Sequence, residues 1–377
     1  LSLICHHSKT LTLFSWTTSI FRMLHPQILL MLCALLGLFL FVYLPGLHDG
    51  DSAVWDHVFG QPRGSDDWHE QRSAFIHAQL MLSTATPRLL PVRSPPADHL
   101  RTDSYPLISG DTFRSVCHWT FDETGNNNWS ATAMQPGQLV FVKTDMLEEF
   151  FTSRHSSIRT PYILITHNSD QAAPGQYLSR LNDSILVAWY GQNGDATHPK
   201  FHPLPIGFAN RQHEHGNMDR LMSHAQGLLA QKARPARLYV NLGTSSNPTR
   251  QVFIDALKMW GPNGKVRFAS NSDHGEYLSD MMNSKFVLSP PGNGIDCHRT
   301  WEALLMGAVP VVLPSHLFGE LRQSSPVMTT PDFLRLSVGH LDSWDYGPFD
   351  GSGVFANFWF KQFHLASLKA RHELSSP

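Results

Sequence analysis

The chain has 377 residues, enough for two domains with sizeable cores. Its 29 lysines and arginines nearly balance 31 aspartates and glutamates, and no long basic block occurs. That balance excludes nucleic-acid binding driven by a broad positive surface. Histidine is abundant, at 22 residues, but abundance alone identifies no metal site.

Residues 28–44 form an uninterrupted apolar run without a charge, near the lower limit for spanning a bilayer. Lys9 and Arg22 precede the run, whereas Asp49 and Asp51 follow it. The positive-inside rule then predicts a cytosolic tail at 1–27, a signal anchor at 28–44 and the bulk of the chain on the far side. The alternative is a cleaved signal peptide, but Tyr43-Leu44-Pro45-Gly46-Leu47 offers no small-x-small cleavage site. Met23 stands just before the run and is a second candidate start. Residues 45–100, with Pro87, Pro91, Pro95 and Pro96 near their end, read as an irregular stem with a helical patch at 68–82.

A first α/β domain is expected at 101–234. Strands are predicted at 139–142, 162–166 and 185–190, with a helix near 146–153. Two of the strands run into polar loops, His167-Asn168-Ser169-Asp170 and Gly191-Gln192-Asn193-Gly194. A helix near 218–232 bridges to a second domain at 235–350. There a strand at 238–242, a helix at 250–260, a short strand at 266–268 and a helix at 277–283 follow in turn. Then comes the most informative segment. Lys285-Phe286-Val287-Leu288-Ser289 is a buried strand, and Pro290-Pro291-Gly292-Asn293-Gly294 a turn. Asp296-Cys297-His298-Arg299-Thr300-Trp301-Glu302 opens a helix, and residues 309–313 form the next strand. Such a unit suits a parallel sheet, whose ligands sit beyond the carboxyl ends of the strands. Glycines let a ligand approach the backbone, and free N–H groups at a helix start attract anions, so a phosphate-bearing substrate is expected. Residues 351–377 are expected to form helical structure packing back across both domains. Strand order is not legible.

Of four cysteines, Cys5 precedes the apolar run and Cys33 lies in it; Cys117 and Cys297 are either paired in an oxidising lumen or free. Asn128-Trp129-Ser130 and Asn182-Asp183-Ser184 match the N-glycosylation pattern.

The segment 277–313 resembles the C-terminal module of exostosin-like glycosyltransferases, including family 47 members and the ribitol xylosyltransferase type. Ser284-Lys285-Phe286-Val287-Leu288-Ser289-Pro290, Arg299, Glu302-Ala303 and Gly307-Ala308-Val309-Pro310-Val311 carry the likeness. Pro203-Leu204-Pro205-Ile206-Gly207-Phe208-Ala209-Asn210-Arg211 is similar to segments of related sequences. The resemblance implies a GT-B fold, with two Rossmann-like halves facing a cleft. It also implies a nucleotide-sugar donor, a UDP-sugar, held mainly by the C-terminal half, and transfer with inversion to a glycan or glycoprotein hydroxyl. A single-pass type II anchor with a Golgi-luminal catalytic region is the common arrangement in such enzymes. Other readings are a non-catalytic glycan-binding or scaffold protein and a nucleotide-sugar hydrolase; the oligomeric state is not legible.

Sugar transfer needs a stabilised diphosphate leaving group and deprotonation of the acceptor. Arg299 suits the diphosphate, because its guanidinium fork matches phosphate oxygens and stays charged. Gly292, Asn293 and Gly294 lead into backbone donors at the helix start. His298 is expected to contact the donor phosphate or sugar, or else to be a structural hydrogen-bonder. Glu302, three residues beyond Arg299, would accept ribose hydroxyls as the resemblance suggests; a surface ion pair between the two is the alternative. Asp170 is the candidate general base, with His167 as its rival and Asp111, Asp122 and Glu123 as further carboxylates. Arg211 and Arg250, in or after loops, are candidate donor contacts. Asp296-Cys297-His298 has no zinc-like spacing and no Asp-x-Asp element stands near the donor loop, so no essential metal is expected.

Overall fold

Apolar strands alternating with helices build two parallel sheets in the computed structural model. It describes residues 64–93, 101–124, 129–194, 196–231, 233–245, 247–270, 273–321, 325–346 and 351–372. The predicted anchor at 28–44 and Asn128 lie outside the described residues. Among the described residues no helix is long and apolar enough to cross a membrane.

Helix α1 (Ser65–Ala85) comes first, followed by α2 (Gly110–Ser115), β1 (Trp119–Phe121), β2 (Gln138–Lys143) and α3 (Leu147–Ser153). Next are β3 (Tyr162–His167), β4 (Leu186–Gln192) and β5 (Phe201–Leu204). Helix α4 (Met218–Gly227) leads to the second half: β6 (Ala236–Val240), α5 (Arg250–Lys258), β7 (Val266–Phe268), α6 (His274–Met282), β8 (Ser284–Leu288), α7 (His298–Leu305) and β9 (Val309–Val312). The chain ends through α8 (His316–Glu320), β10 (Met328–Thr329), α9 (Val338–Asp342) and α10 (Ala356–His372).

The first sheet has the order β1-β2-β3-β4-β5, and every neighbouring pair is parallel. Side chains along these strands alternate between two cores. Phe141, Ile163 and Ile165 enter one, whereas Val140, Val142, Leu164 and Trp189 enter the other. Burial on both faces explains why β3 and β4 read as continuous apolar runs. The second sheet, also parallel, has the order β10-β9-β8-β6-β7. Its chain order reverses between β6 and β8, which creates a crevice beyond the carboxyl ends of those two strands.

The expected two-half α/β architecture is therefore present. Sequence reading missed β1, β5 and the two-residue β10. The first has only three residues, and β5 carries Pro203, which restricts it to an edge.

The stem expectation is corrected in part. Helix α1 is not a spacer but a component of the second half. Trp68 is fully buried in the core with Leu238, Phe286 and Val309. Arg72 donates from Nη2 to the Leu304 carbonyl at 2.9 Å, and the Lys285 ammonium meets Asp66 at 2.7 Å. Within the segment from residue 351, α10 packs on the first sheet, whereas the turn before it, Ser352–Val354, lies against α7 of the second half. Phe360 and Phe363 join the core of that sheet, and Ser367 Oγ donates to the Gly137 carbonyl at 2.7 Å. Each end of the described chain thus completes the opposite half. Cys117 and Cys297 are both free, so the disulfide alternative is removed.

Candidate functional site

At the β6/β8 crevice, the loops after the two strands are tied together by Arg250, the first residue of α5. Its Nη1 donates to the Gly243 carbonyl at 2.9 Å, while Nε and Nη2 donate to the Pro291 and Pro290 carbonyls, each at 3.1 Å. These three bonds use one N–H of each guanidinium nitrogen, so Arg250 braces the loop at 290–294. Gly292 lies beside it: a Cβ there would sit 3.3 Å from Arg250 Nη2.

The loop ends at α7, an eight-residue helix whose N-cap, Cys297, provides no side-chain cap. The Thr300 amide bonds back to the Cys297 carbonyl, and the amides of His298 and Arg299 have no partner among the described residues. Arg299 is half-buried. Its Nε has no hydrogen-bond partner, and its Nη1 has only the Cys297 sulfur, at 3.8 Å. Burial opposes its charge, but Tyr277, Cys297 and Glu302 nearby outweigh that and raise its pKa. An uncapped helix start beside an under-bonded guanidinium is a cradle for an anion.

Glu302 does not pair with Arg299, so the surface ion-pair alternative fails. Its carboxylate is buried and turned toward α6 and the segment after β5. Tyr277 donates to Oε2 at 2.7 Å, while His274 Nε2 and His215 Nδ1 lie 3.6 and 3.9 Å from Oε1. Burial pushes this carboxyl up, but His215, His274 and Tyr277 outweigh it and hold it well below the ordinary range. The same pair raises His215 through Glu302. His215, His274 and Glu302 bring potential metal-ligand atoms within 4.8 Å of one another. The two imidazoles, however, stack at 4.3 Å with 28° between their planes. In such a stack the in-plane lone pairs run side by side rather than converge, which fits a cation poorly.

Three contacts fasten the loop after β8 and the start of α7 to the first half. Asn293 Nδ2 donates to Asp170 Oδ2 at 3.0 Å. The Ile206 amide donates to Asp296 Oδ2 at 2.9 Å, an acceptor shared with the Trp301 indole at 2.7 Å. His298 Nδ1 donates to the Gly207 carbonyl at 2.7 Å. Gly294 is needed for this approach, since a Cβ there would stand 2.3 Å from Asn193 Oδ1. Its role is close packing of the two halves, a use of glycine that sequence reading assigned to a ligand.

Beyond the carboxyl ends of β3 and β4 lies a cleft of about 680 Å³, within the usual range for ligand pockets. Asp170 and His298 both line it, as do Asn168, Gln192 and Asn210. Asn168 and Asn193, at the strand ends, adopt left-handed backbone (φ 62 and 54°), a conformation asparagine tolerates better than most residues. Asp170 is exposed at the rim. Its rival His167 is buried, with both ring nitrogens occupied: Nε2 donates to the Pro205 carbonyl at 3.0 Å and Nδ1 accepts the Asn168 amide at 2.7 Å. Burial lowers its pKa to about 4. It therefore has no free lone pair for a substrate. Asp111 and Asp122 are buried partners of Arg101 (2.9 Å) and Arg114 (2.6 Å), and Glu123 pairs with Arg101 and Lys143. Arg211 is exposed, reaches only the Asp103 carbonyl at 3.5 Å, and does not line the cleft.

The site thus joins Asp170, Asn293, His298 and Arg299 near one junction and leaves Arg211 outside it. From the sequence, Asp296 was weighed only as a metal ligand, and Tyr277, His215, His274, Asn168 and Asn210 were given no site role; their contacts join segments distant in sequence. Compared with protein-family models and with curated proteins, the chain matches none.

Proposed function

We propose that the protein is an exostosin-like glycosyltransferase. It moves a sugar from a nucleotide diphosphate, a UDP-sugar, to a hydroxyl of a glycan or glycoprotein, with inversion. The two halves then correspond to a GT-B arrangement, with the donor on the second half and the acceptor on the first. One observation carries this reading: the uncapped start of α7, with unpartnered His298 and Arg299 amides and an unpaired Arg299 Nε, stands beside the β6/β8 switch point. Diphosphate oxygens supply the acceptors those groups lack, and their negative charge is favoured by the helix start.

Loss of the diphosphate is the step these groups assist. As the bond between the anomeric carbon and the phosphate oxygen lengthens, charge gathers on that oxygen, and fixed donors stabilise it without rearranging. Arg250 keeps the loop in shape through its three carbonyl contacts. A cation is not required for this role, and none is assigned. Glu302 Oε1, which has no hydrogen-bond partner, is the atom that would accept a ribose hydroxyl. The apolar run at 28–44 supports a Golgi type II anchor with the two halves in the lumen.

The test is calorimetric titration of residues 64–377 with UDP, followed by product analysis with UDP-sugars and a glycan array. Binding with transfer is expected. Folded protein that binds no nucleoside diphosphate removes the main support, and release of free sugar in the presence of every acceptor indicates a hydrolase instead.

A further inference from the structure

The cleft above β3 and β4 has a wall of unusual composition. Five carboxamides line it, Asn168, Gln171, Gln192, Asn210 and Gln212, beside the charged Arg101, Glu123, Lys143, Asp145 and Asp170. Its cations are already neutralised. Arg101 pairs with Asp111 and Glu123, and Lys143 lies 3.2 Å from Asp145 and 3.7 Å from Glu123. Carboxamides both donate and accept, as sugar hydroxyls do, and paired charges leave no net attraction for an anionic ligand.

One residue of the second half enters this wall. His298 donates from Nδ1 to the Gly207 carbonyl, which fixes the ring hydrogen on Nδ1 and leaves a lone pair on Nε2. Nε2 has no partner among the described residues, and the ring lines the cleft. Gly207 is itself constrained, with φ +67° and a Cβ position 2.7 Å from the Ile108 carbonyl oxygen. The backbone that orients the imidazole is therefore held by packing.

We propose that this cleft is the acceptor site for an uncharged saccharide and that His298 Nε2 removes the proton from its attacking hydroxyl. The inference rests on the transferase reading above. In the step, the hydroxyl proton passes to Nε2 and the oxygen's electron pair forms the bond to the anomeric carbon. The bond from that carbon to the diphosphate breaks, its electrons stay on the phosphate oxygen, and the imidazolium later releases its proton to water. Asp170 has a different part. Its Oδ2 already accepts from Asn293, so it ties the cleft rim to the donor loop as a positioning residue.

Protonation of the ring is disfavoured. Burial lowers the His298 pKa, and His213 and His215, from the segment after β5, lower it further; the Gly207 carbonyl and Glu302 act in the opposite direction. His167, from β3, has its own pKa lowered to about 4. The first-turn position in α7 also opposes a positive charge. The free base thus predominates at neutral pH, and turnover declines as pH falls through the lowered pKa.

The test is His298→Asn, because the Asn amide nitrogen replaces Nδ1 as donor to Gly207 and nothing replaces Nε2. Turnover is read on an array of neutral and uronic-acid glycans, and donor binding with UDP. The expected result is transfer to neutral glycans by the wild type. In the variant, UDP affinity should stay within about threefold while kcat falls about a hundredfold or more and the low-pH limb disappears. Asp170→Asn should lower turnover but keep that limb. Transfer kept within about threefold in His298→Asn, parallel loss of UDP binding, or a preference for acidic glycans overturns the inference alone. Absence of UDP binding or of any transfer by the wild type overturns the transferase reading and this one with it. If the variant does not fold, ¹⁵N imidazole spectra of the wild type decide: an Nδ1-H tautomer whose Nε2 responds to the neutral acceptor is expected, and an Nε2-H tautomer overturns it.

Discussion

Asp296 accepts the amide hydrogen of Ile206 at 2.9 Å, so a carboxylate just before α7 holds the backbone of the opposite half. Its oxygens also accept the Trp301 indole and the Cys297 amide, each at 2.7 Å. Burial raises its pKa from 3.8 to about 6 in spite of these donors. Between those values the folded protein retains a proton that the unfolded chain has lost. Stability from this group is therefore full below about pH 4 and declines as pH rises through about 6, by about 3 kcal/mol at most. Asp296→Asn should flatten the decline, as read from denaturant midpoints across that window. An unchanged slope would show that the carboxyl is already ionised when folded.

Arg299 has little holding it in the absence of a ligand. Replacement by Ala should weaken UDP binding by about tenfold to a hundredfold, the range for charge-assisted hydrogen bonds. Unfolding free energy should change by less than about 1 kcal/mol. Calorimetry and chemical denaturation on the same samples separate the two effects, and a stability loss matching the binding loss would make Arg299 a structural residue.

Helix α1 belongs to the folded body, since Trp68 is wholly buried in the second core. Trp68→Ala should destabilise the protein by about 3–5 kcal/mol. A chain starting at residue 101 should lose cooperative unfolding, whereas one starting at 64 should keep it. Equal melting temperatures for the two chains would return α1 to the role of a spacer.

Gly294 and Asn193 test the contact between the halves. Gly294→Ala drives a methyl into the Asn193 carboxamide and should cost about 1–3 kcal/mol, together with most of the activity. Asn193→Gly opens the space and accepts the left-handed backbone at that position. The double variant should therefore recover much of the loss, as a positive coupling in a double-mutant cycle. Simple additivity would mean that the two sites do not touch in solution.

Chelation tests the proposal that the diphosphate is handled without a cation. After exhaustive EDTA treatment and dialysis, transfer at saturating donor should be unchanged. A requirement for added manganese under those conditions would mean that the helix start and Arg299 do not suffice.

Much of the architecture was visible in one dimension. The strands at 162–166 and 185–190 read as continuous apolar runs because both faces of the first sheet are covered, a local consequence of a global layer. The segment from β8 to α7 was equally legible, as a strand, a proline–glycine turn and a helix with polar first-turn residues. The carbonyl contacts of Arg250 were not legible for a physical reason: an arginine after a loop reads the same whether its guanidinium meets phosphate or backbone carbonyls. The helix at 65–85 was read as an irregular stem with a patch, since the partner that buries Trp68 lies more than 150 residues away in sequence.

The sequence by itself determined the α/β class and the helix start bearing Arg299, because hydrophobic period, turn residues and capping act over a few neighbours. Tertiary structure decided that Glu302 faces His215 and His274 and that Gly294 admits Asn193. It also decided that His298 reaches across to Gly207 in the other half. Those relations depend on how the two sheets meet, and their partners come from segments separated by tens of residues, beyond the reach of any local pattern.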